Sequence, residues 1–423
     1  MVAKRWRTAA RWARWSVLGG TALMLLSGAS LVTVDRVIAR YEGAIHKEDL
    51  FGDESGRQAP PRPEDIRGPL NILLAGIDPR HDDPFWIPRA DSILVMHIPA
   101  GLDRGYLFSL PRDLLVAIPP FAKSGYGGNP ADKLAHAMYF GSMVPGDRRA
   151  NHAQGFELLA ATVSQYTGIA RFDAGAIIDF SGFKDVIDAL GGIDMTVDER
   201  VASIHLEPDG DPRDRGPGST GYVGEQMVYE PGLRHFKGWQ ALDYARQRYV
   251  TGGDYARQRH QQQLVRAMIS KAFSDDVLTD PVQMDTVLRA AGQSLTFSGR
   301  GHSVIDWAFA LQDLRPGTVH MMKLSGGGVG RYVVDKGKDD DEGDDGGGDD
   351  GGDDGDDGGG DDDDGDDGDD GDKKDDKKKK SKPKMKYQYL GEQLDGYARQ
   401  FLASVAAGSV ENFVAFHPEM LSK

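Results

Sequence analysis

Cysteine is absent from this 423-residue chain. Its absence excludes a disulfide framework, a cysteine nucleophile, an iron–sulfur cluster and a zinc site held by thiolates. The cellular compartment therefore has to be inferred from targeting signals instead of cysteine usage. The length corresponds to two or three domains of ordinary size.

Basic residues are missing from residues 339–372, which carry 21 acidic side chains among glycines. The whole chain has 66 acidic and 50 basic residues and a formal net charge of −16. Outside this one segment, the basic residues outnumber the acidic ones by five. The acidity thus belongs to a single segment, and the remainder of the protein is slightly basic.

Apolar residues are also missing from this segment, and a lysine-rich stretch from Lys373 to Lys386 follows it. Because a segment without apolar side chains cannot offset the entropy lost on ordering, we expect residues 337–384 to be a disordered insertion. Calcium-binding repeats and EF-hand loops also contain Asp and Gly. The regularly placed hydrophobic residues and the closing glutamate that they need are absent here.

Two strand-like segments, Gly330–Val334 and Met385–Leu390, flank the insertion. They predict a hairpin that carries the insertion near the end of the same domain, with a final helix over Leu394–Ala406. The alternative is a separate small C-terminal module on a flexible linker.

Only one stretch of the chain is both long and uncharged, from Trp15 to Val34, which is long enough to cross a bilayer. Five basic residues precede it, namely Lys4, Arg5, Arg7, Arg11 and Arg14. Because positive charge marks the cytoplasmic side of a span, residues 1–14 are predicted to be cytoplasmic, 15–34 to be a transmembrane anchor and the rest to lie outside the cytoplasm. A cleaved signal peptide and a buried core helix are the competing interpretations.

The polar, proline-bearing segment 35–69 indicates a stalk between the membrane and a folded domain. Three apolar runs of strand length follow, Leu70–Ile77, Ser92–Ile98 and Tyr106–Leu110, and later segments alternate between helix and strand patterns. This mixture predicts a three-layer α/β/α sandwich with a central mixed, largely antiparallel sheet. The domain would comprise residues 70–336 and 385–406, and residues 407–423 would form a C-terminal tail.

The first three strands predict where several charged residues gather. The turn at 101–105 is short, so the second and third strands should pair antiparallel; if the first also pairs antiparallel with the second, the chain runs up, down and up. Asp78 then ends the first strand, Arg89 and Asp91 begin the second, and Arg112 and Asp113 end the third. All five would lie at one edge of the sheet, unless they are ordinary turn residues.

A second group of cationic residues lies between 246 and 268. Asp254 is suited to cap a helix in which residues 257, 261, 264 and 268 share one stripe. Leu264 and Met268 should face the core, so Arg257 and Gln261 should also point inward, where an unpaired guanidinium costs several kcal/mol, by order of magnitude, unless an anion compensates it. Arg246 and Arg248 share a face if their segment is extended. A solvated charged face is the alternative interpretation.

These segments resemble the LytR-CpsA-Psr family in order and in spacing, over about 200 residues from Leu70 to Phe273. The matching motifs are Gly76-Ile77-Asp78, Arg89-Ala90-Asp91-Ser92, Ser109-Leu110-Pro111-Arg112-Asp113, Lys133-Leu134-Ala135-His136-Ala137, Gly182-Phe183 through Ile193, Tyr244-Ala245-Arg246-Gln247-Arg248 and Gly253-Asp254 through Gln262. The resemblance implies a membrane-anchored, extracytoplasmic transferase. Such an enzyme moves a glycopolymer from a polyprenyl-pyrophosphate carrier to peptidoglycan, aided by Mg²⁺ or Mn²⁺.

The resemblance also assigns roles to individual residues. Asp78 and Asp91 match the metal-binding carboxylates, and with Arg112 and Arg257 they form the expected catalytic set. The remaining matches are to residues that contact the pyrophosphate, namely Arg89, Lys133, Arg246, Arg248 and Gln261. Ala135, His260 and Val116 stand where many members of the family carry Asn, Arg and another polar or basic residue, respectively. These departures leave acceptor preference open.

The residue types fit phosphoryl transfer from a pyrophosphate. This reaction builds negative charge on oxygen, so a site needs fixed cations more than a strong base. Arginine forks match phosphate oxygens, and aspartates supply the oxygen ligands that Mg²⁺ prefers. Which aspartate acts as a base, if either does, stays open. The alternative function is a non-catalytic anchored protein that binds anionic wall glycopolymers or pyrophosphate lipids with the same arginines, and no nucleic-acid partner is expected outside the cytoplasm.

Overall fold

A computed structural model describes residues 46–52, 66–78, 83–217, 221–248, 250–272, 274–278, 280–334 and 385–422. The predicted cytoplasmic tail, the transmembrane anchor and the Asp/Gly and Lys-rich insertion lie outside these described residues. Among the helices within the described ranges, none combines the length and the apolar character required to cross a membrane.

Fifteen strands are present in the described part of the chain. They are β1 (His46–Lys47), β2 (Leu70–Ile77), β3 (Ala90–Ile98), β4 (Gly105–Ser109), β5 (Leu115–Ile118), β6 (Asn129–Lys133), β7 (Ala174–Asp179), β8 (Ile193–Val197), β9 (Val201–Ala202), β10 (Val228–Tyr229), β11 (Gly232–Phe236), β12 (Leu295–Ser298), β13 (Val319–Met322), β14 (Gly326–Val334) and β15 (Met385–Leu394).

Helices alternate with these strands along the chain. They are α1 (Ala135–Ser142), α2 (His152–Thr167), α3 (Phe180–Ala189), α4 (Gly238–Arg246), α5 (Gly253–Ala272), α6 (Asp275–Leu278), α7 (Pro281–Ser294), α8 (Val304–Ala310), α9 (Gly396–Ala406) and α10 (Val410–Phe416). Short 3₁₀ turns follow at Pro316–Thr318 and Pro418–Met420.

A seven-stranded sheet with the order β1-β12-β7-β2-β3-β4-β13 forms the centre of the fold. The pairs β2–β3, β3–β4 and β12–β7 are antiparallel. The pairs β1–β12, β2–β7 and β13–β4 are parallel. The fold is thus a mixed α/β fold with a central mixed sheet, as predicted. The expectation of a largely antiparallel sheet is wrong, because the connections through α2 and α8 return the chain in parallel to β2 and β4.

Helices cover both faces of this sheet. Successive residues of β3 alternate between two apolar cores, because side chains on a strand point to opposite faces in turn. Ile93 and Val95 lie in one core with Phe156 of α2. Leu94 and Met96 lie in the other with Trp307 of α8. This double burial explains why β3 is apolar along nearly its whole length.

A third apolar cluster supports the segment that carries the predicted arginines. It includes Ile187 of α3, Met195 of β8, Phe236 of β11, Tyr244 of α4 and Leu264 of α5. Tyr244 is fully buried, so α4 is packed tightly just before Arg246 and Arg248. The positions of both arginines therefore depend on this cluster.

The two ends of the folded unit extend beyond the predicted boundaries. Within the predicted stalk, β1 pairs with β12, and Leu50 and Phe51 are buried in the main core. Within the predicted C-terminal tail, Val410 and Met420 join the same core, and Leu421 bridges to Met322. The sequence predicts a polar stalk and a tail for these two segments. The structure instead buries apolar side chains of both segments in the main core.

The strands β14 and β15 form a two-stranded sheet, so the predicted hairpin on either side of the insertion is present. The chain divides into two compact units, one comprising Met1–Val329 with Gly391–Lys423 and the other comprising Gly330–Leu390. In the second unit, the rings of Tyr332 and Tyr387 pack edge to face, with their centres 5.3 Å apart. The first unit contains all of the predicted site residues.

Candidate active site

The charged residues predicted at one edge of the sheet are brought together there. In β2 and β3, Ile77 pairs with Ala90, and the register shifts between Gly76 and Ile77. In β3 and β4, Leu94 pairs with Ser109, so the chain runs up, down and up as the turn length predicted. Asp78, Asp91 and Arg112 follow from this register as neighbours at the same sheet edge.

Asp91 and Arg112 form a short ion pair at this edge. The Nη1 atom of Arg112 donates to Oδ1 of Asp91 at 2.6 Å, and both side chains are mostly buried, with 17% and 22% exposure. Burial alone would lower the pKa of Arg112, but the negative charges of Asp91 and Asp113 outweigh it, so the pKa is raised. Arg112 therefore stays fully charged.

Asp113 extends this network to Lys133. Its Oδ2 atom lies 3.9 Å from Nε of Arg112, and its Oδ1 atom lies 3.3 Å from Nζ of Lys133. Lys133 reaches this position because β6 pairs with β5, with Lys133 opposite Leu115 just after the Arg112 turn. The predicted Lys133 thus joins the same group of charges through one carboxylate.

Arg257 is the most buried cation of the site. It is 4% exposed, on the stripe of α5 that also carries Gln261 and Leu264, as the helical spacing predicted. Its Nη2 atom pairs with Oδ1 of Asp254 one turn earlier. Burial lowers the pKa of Arg257 to about 10; Asp254 opposes this shift, whereas the nearby positive charges of Arg248 and Arg112 add to it.

Two guanidinium nitrogens at this site have no acceptor. The Nε atoms of Arg112 and Arg257 are buried, and neither makes a hydrogen bond within the described residues. A buried donor without an acceptor is costly, because its hydrogen bond to water is lost on burial and no other hydrogen bond replaces it. These two N–H groups therefore favour an anionic ligand with several acceptor oxygens.

Arg246 and Asp78 form a second, more open pair. Nη2 of Arg246 lies 2.7 Å from Oδ2 of Asp78, with side-chain exposures of 44% and 40%. The guanidinium of Arg246 also stands 5.1 Å from the ring centre of Phe180, at the start of α3. Because α4 ends at Arg246, the following extended residue Gln247 redirects the chain toward Arg248. Arg248 is partly buried, and its charge acts on Arg257.

Gln261 and Arg89 have different surroundings. Gln261 is buried and accepts a hydrogen bond from the Ser92 hydroxyl at 2.9 Å, which attaches α5 to β3 one residue beyond Asp91. Arg89 is exposed, and its guanidinium lies 6.0 Å from the ring centre of Tyr139. Gln261 therefore lies within the charged group, whereas the contact made by Arg89 leads away from it toward α1.

The donor set at this edge fits a divalent cation of the Mg²⁺ type. Asp78 and Asp91 offer hard carboxylate oxygens at adjacent strand ends, which is the ligand type that Mg²⁺ prefers. In the described ranges, one trio of potential metal ligands lies close together, namely Asp198, Glu199 and His260. Arg259 already pairs with both of its carboxylates, at 2.7 and 2.8 Å.

Sequence reasoning missed the two counter-ions of the site. Asp113 was seen only as a strand-end residue and Asp254 only as a helix cap, but each pairs with predicted arginines. Their spacing contained a signal, because Asp113 directly follows Arg112 and residues three apart on a helix, such as Asp254 and Arg257, are neighbours. His260 is fully buried, and its ring centre lies 4.3 Å from that of Tyr244, with the two rings tilted by 30°.

In a comparison with known protein families, residues 40–338 match the model of the LytR_cpsA_psr family. The chain is 29% identical over 212 residues to a polyisoprenyl-teichoic acid–peptidoglycan teichoic acid transferase TagU of Bacillus cereus (strain AH820), covering 50% of this chain and 55% of that relative. It is 28% identical over 279 residues to the TagU of Oceanobacillus iheyensis, covering 64% of this chain and 72% of that one.

Solved structures give weaker likenesses. Protein gbs0355 from Streptococcus agalactiae is 24% identical, with a TM-score of 0.47 and coverage of 62% of this chain and 78% of that one. TagT bound to LIIa-WTA is 24% identical, with a TM-score of 0.44 and coverage of 64% and 86%, respectively. At these TM-scores, neither likeness bears on the function of this chain.

Proposed function

The chain belongs to the LytR_cpsA_psr family, and from this we propose that it is a phosphotransferase that moves a glycopolymer from a polyprenyl-pyrophosphate carrier to peptidoglycan. The named TagU relatives are teichoic acid transferases acting on peptidoglycan, which makes an anionic wall polymer the first candidate for the donor. The chain spans only 55% of the first of these relatives, so donor and acceptor are part of the proposal.

One observation carries the proposal, namely the burial of Arg257 among other arginines. Its guanidinium is 4% exposed and feels the positive charges of Arg248 and Arg112. Like charges at a desolvated position repel each other. Asp254 and Asp91 each pair with one of these arginines, and a multiply charged anion would compensate several of them together. A pyrophosphate supplies that charge with enough oxygens for the unpaired Nε donors of Arg112 and Arg257.

The reaction follows from this arrangement of charge. A hydroxyl of the acceptor attacks the phosphorus that carries the glycopolymer, a new P–O bond forms, and the bond from this phosphorus to the bridging oxygen breaks. The prenyl phosphate leaves with the bonding electrons, and the hydroxyl proton passes to a base or to solvent. Arg112, Arg248 and Arg257 would stabilise the charge that builds on the non-bridging and leaving oxygens.

Asp78 and Asp91 would hold the divalent cation, Mg²⁺ or Mn²⁺. When bound, this cation supplies Lewis-acid stabilisation of phosphate oxygens. The two aspartates also fix Arg246 and Arg112, so they orient cationic groups whether or not a metal is bound. Lys133, held by Asp113, would extend the positive wall of the site.

We further propose that the protein is anchored in the cell membrane by residues 15–34, with the folded unit outside the cytoplasm. The support is the basic flank before an uncharged run long enough to cross a bilayer. This topology would place the site on the side where peptidoglycan is assembled.

A transfer assay separates this function from non-catalytic binding of wall polymers. The full-length protein in detergent would be incubated with a defined lipid-linked polymer, peptidoglycan oligomers and Mg²⁺, and polymer covalently attached to the oligomers would be measured. Polymer attachment that disappears in Asp91→Ala supports the transferase. Binding of the donor without attachment, unchanged in Asp91→Ala, would instead identify a binding protein.

A further inference from the structure

Gln247 stands between two predicted substrate-binding arginines, Arg246 and Arg248, and its own side chain points the other way. It is 2% exposed, and its backbone is extended, with φ −68° and ψ 126°. Arg246 is the last residue of α4, so the alternation of side chains along an extended segment applies to Gln247 and Arg248. Whatever holds Gln247 inward therefore directs the next residue, Arg248, to the opposite side, where its charge acts on Arg257.

The amide of Gln247 is satisfied by a dense set of hydrogen bonds. Its Nε2 group donates to Oδ1 of Asp243 at 2.7 Å, to the Asp243 carbonyl at 3.1 Å and to the Ser203 hydroxyl at 3.3 Å. Its Oε1 atom accepts from the backbone N–H of Ile204 at 3.1 Å. Both ends of the amide are thus fixed, which leaves one orientation of the side chain.

Asp243 is the centre of this network. Its Oδ1 atom also accepts from the Ser203 hydroxyl at 2.8 Å, and its Oδ2 atom accepts from the Tyr229 hydroxyl at 2.8 Å. Asp243, Ser203 and Tyr229 are all buried, with exposures of 5%, 0% and 4%. Burial raises the pKa of Asp243, and the hydrogen bonds from Tyr229, Ser203 and Gln247 oppose this shift and offset part of the cost of the buried carboxylate.

The same network attaches a long loop to the end of α4. The hydroxyl of Ser203 accepts from the backbone N–H groups of His205 and Leu206, and Arg213 donates to the carbonyl of Ile204 at 2.8 Å. The apolar cluster already packs α4 in place. Hydrogen bonds also constrain direction, which apolar packing does not, so this network fixes the orientation of the Gln247 side chain at the end of α4.

We propose that Gln247, held by Asp243, Ser203 and Tyr229, is a positioning residue that fixes the direction of Arg248 for pyrophosphate binding. The inference rests on the proposed function, because it assigns the arginines to the anion. It adds a set of residues that touch no substrate and act through the arginines. A flexible segment would otherwise lose side-chain and backbone freedom when the anion binds, which weakens binding.

A double-mutant cycle tests this inference. The full-length protein in detergent is titrated with geranyl pyrophosphate by calorimetry at fixed Mg²⁺. Gln247→Met keeps the length of the side chain and removes every amide hydrogen bond, and we expect it to weaken binding roughly tenfold. If Gln247 acts through Arg248, the same change made in Arg248→Ala should cost less than about twofold, because coupled residues are not additive.

Two further variants guard against loss of folding. Tyr229→Phe keeps the ring and removes only the hydroxyl that Asp243 Oδ2 accepts, so we expect a folded protein that binds about threefold more weakly. Thr162→Val removes a buried hydrogen bond of similar kind inside α2, where Thr162 donates to the Leu158 carbonyl. It should lower the melting temperature without changing the affinity for geranyl pyrophosphate.

The outcomes distinguish the inference from the function on which it rests. No binding by the unaltered protein would overturn the proposed function and this inference with it. Binding by the unaltered protein, with equal affinity in Gln247→Met and Tyr229→Phe, would overturn the inference alone. So would a full tenfold loss from Gln247→Met in the Arg248→Ala background, since a residue acting through Arg248 cannot act when Arg248 is gone.

Discussion

The guanidinium of Arg112 lies 2.6 Å from the carboxylate of Asp91. Asp91 stands near the start of β3, and Arg112 follows the end of β4, which is the antiparallel neighbour of β3. The Oδ1 atom of Asp91 thus pairs with a cationic side chain of the protein itself. Through this contact Asp91 orients Arg112, and in the proposed reaction it would also bind the divalent cation. Asp78 orients Arg246 in a more exposed setting and would share the binding of the cation.

Removal of either aspartate should abolish metal-dependent transfer. We expect Asp78→Ala and Asp91→Ala to reduce polymer attachment to peptidoglycan oligomers by about 100-fold or more, because each loses a cation ligand and frees an arginine. Both residues lie at strand ends, so circular dichroism should show an intact fold. Asp103→Ala is the matched control, since Asp103 forms an exposed pair with Arg104 at 3.2 Å. Full activity in either site variant would remove the metal assignment.

A chelator should have the same effect without any mutation. We expect EDTA to stop transfer and added Mg²⁺ or Mn²⁺ to restore it, because the oxygen ligands of Asp78 and Asp91 suit hard divalent cations. The measurement is polymer attachment as a function of free metal concentration. Unchanged transfer at a free divalent-cation concentration of ~10 nM would contradict a metal-dependent mechanism.

The buried charge of Arg257 should lower the stability of the ligand-free protein, although the same charge contributes to binding of the pyrophosphate. Burial lowers its pKa to about 10, so the folded protein holds this proton less tightly than the unfolded chain does. The charge therefore destabilises the fold at every pH below about 10, and the cost shrinks as the pH rises above 10 toward the ordinary arginine pKa. We expect Arg257→Met to raise the melting temperature of the ligand-free protein at pH 7 and to weaken binding of geranyl pyrophosphate.

The control for this prediction is Arg289→Met. Arg289 lies on the exposed face of α7 and pairs with Asp285 at 2.7 Å. Its replacement should change neither the melting temperature nor the affinity for geranyl pyrophosphate appreciably. A lower melting temperature for Arg257→Met than for the unaltered protein would show that Asp254 compensates the buried charge fully. The anion would then not be needed to explain it.

The arginines should differ in their contribution to affinity according to burial. We expect Arg112→Ala, Arg248→Ala and Arg257→Ala each to weaken binding of geranyl pyrophosphate by about 2 to 4 kcal/mol, as for loss of a charge-assisted contact at a desolvated site. The exposed Arg246 should contribute less, because water screens its charge. Lysine replacements should restore part of the loss, since they keep the charge without the fork.

Calorimetry on these variants at fixed Mg²⁺ provides the measurement. Arg289→Ala serves as the surface reference and should change affinity by less than about 0.5 kcal/mol. Equal affinities for all variants and for the reference would mean that these arginines form an ordinary charged face.

Protease accessibility should reveal the topology. Because the basic residues lie only before the uncharged run, we expect protease added to intact protoplasts to degrade the folded unit. A cytoplasmic protein of the same cells is the control and should survive. Protection of the folded unit would contradict an anchor with its C-terminal side outside the cytoplasm.

The sequence by itself determined which side chains face inward and which strand ends carry charge. The stripe of Arg257, Gln261 and Leu264 follows from the 3.6-residue period of a helix, and the gathering of Asp78, Asp91 and Arg112 follows from two antiparallel pairings that short connections favour. Both are consequences of local geometry, and the structure confirms the inward position of the three helix residues and the meeting of the three charged ones. The stripe did not predict that Gln258, His260 and Gln262, on other faces of α5, are buried too. Arg89, which was predicted at the same edge, lies against Tyr139 instead. The family motifs are likewise contained in the order of residues along the chain.

Only the tertiary structure decided which charges meet. It assigned Asp113 to both Arg112 and Lys133, directed Arg89 toward Tyr139 and placed the amide of Gln247 against Asp243. Ion pairs and hydrogen bonds depend on through-space distances of a few ångströms between elements that lie far apart in sequence, and no local period encodes those distances. The evenly mixed sheet has the same cause, because parallel partners are chosen by the packing of the helices that connect them.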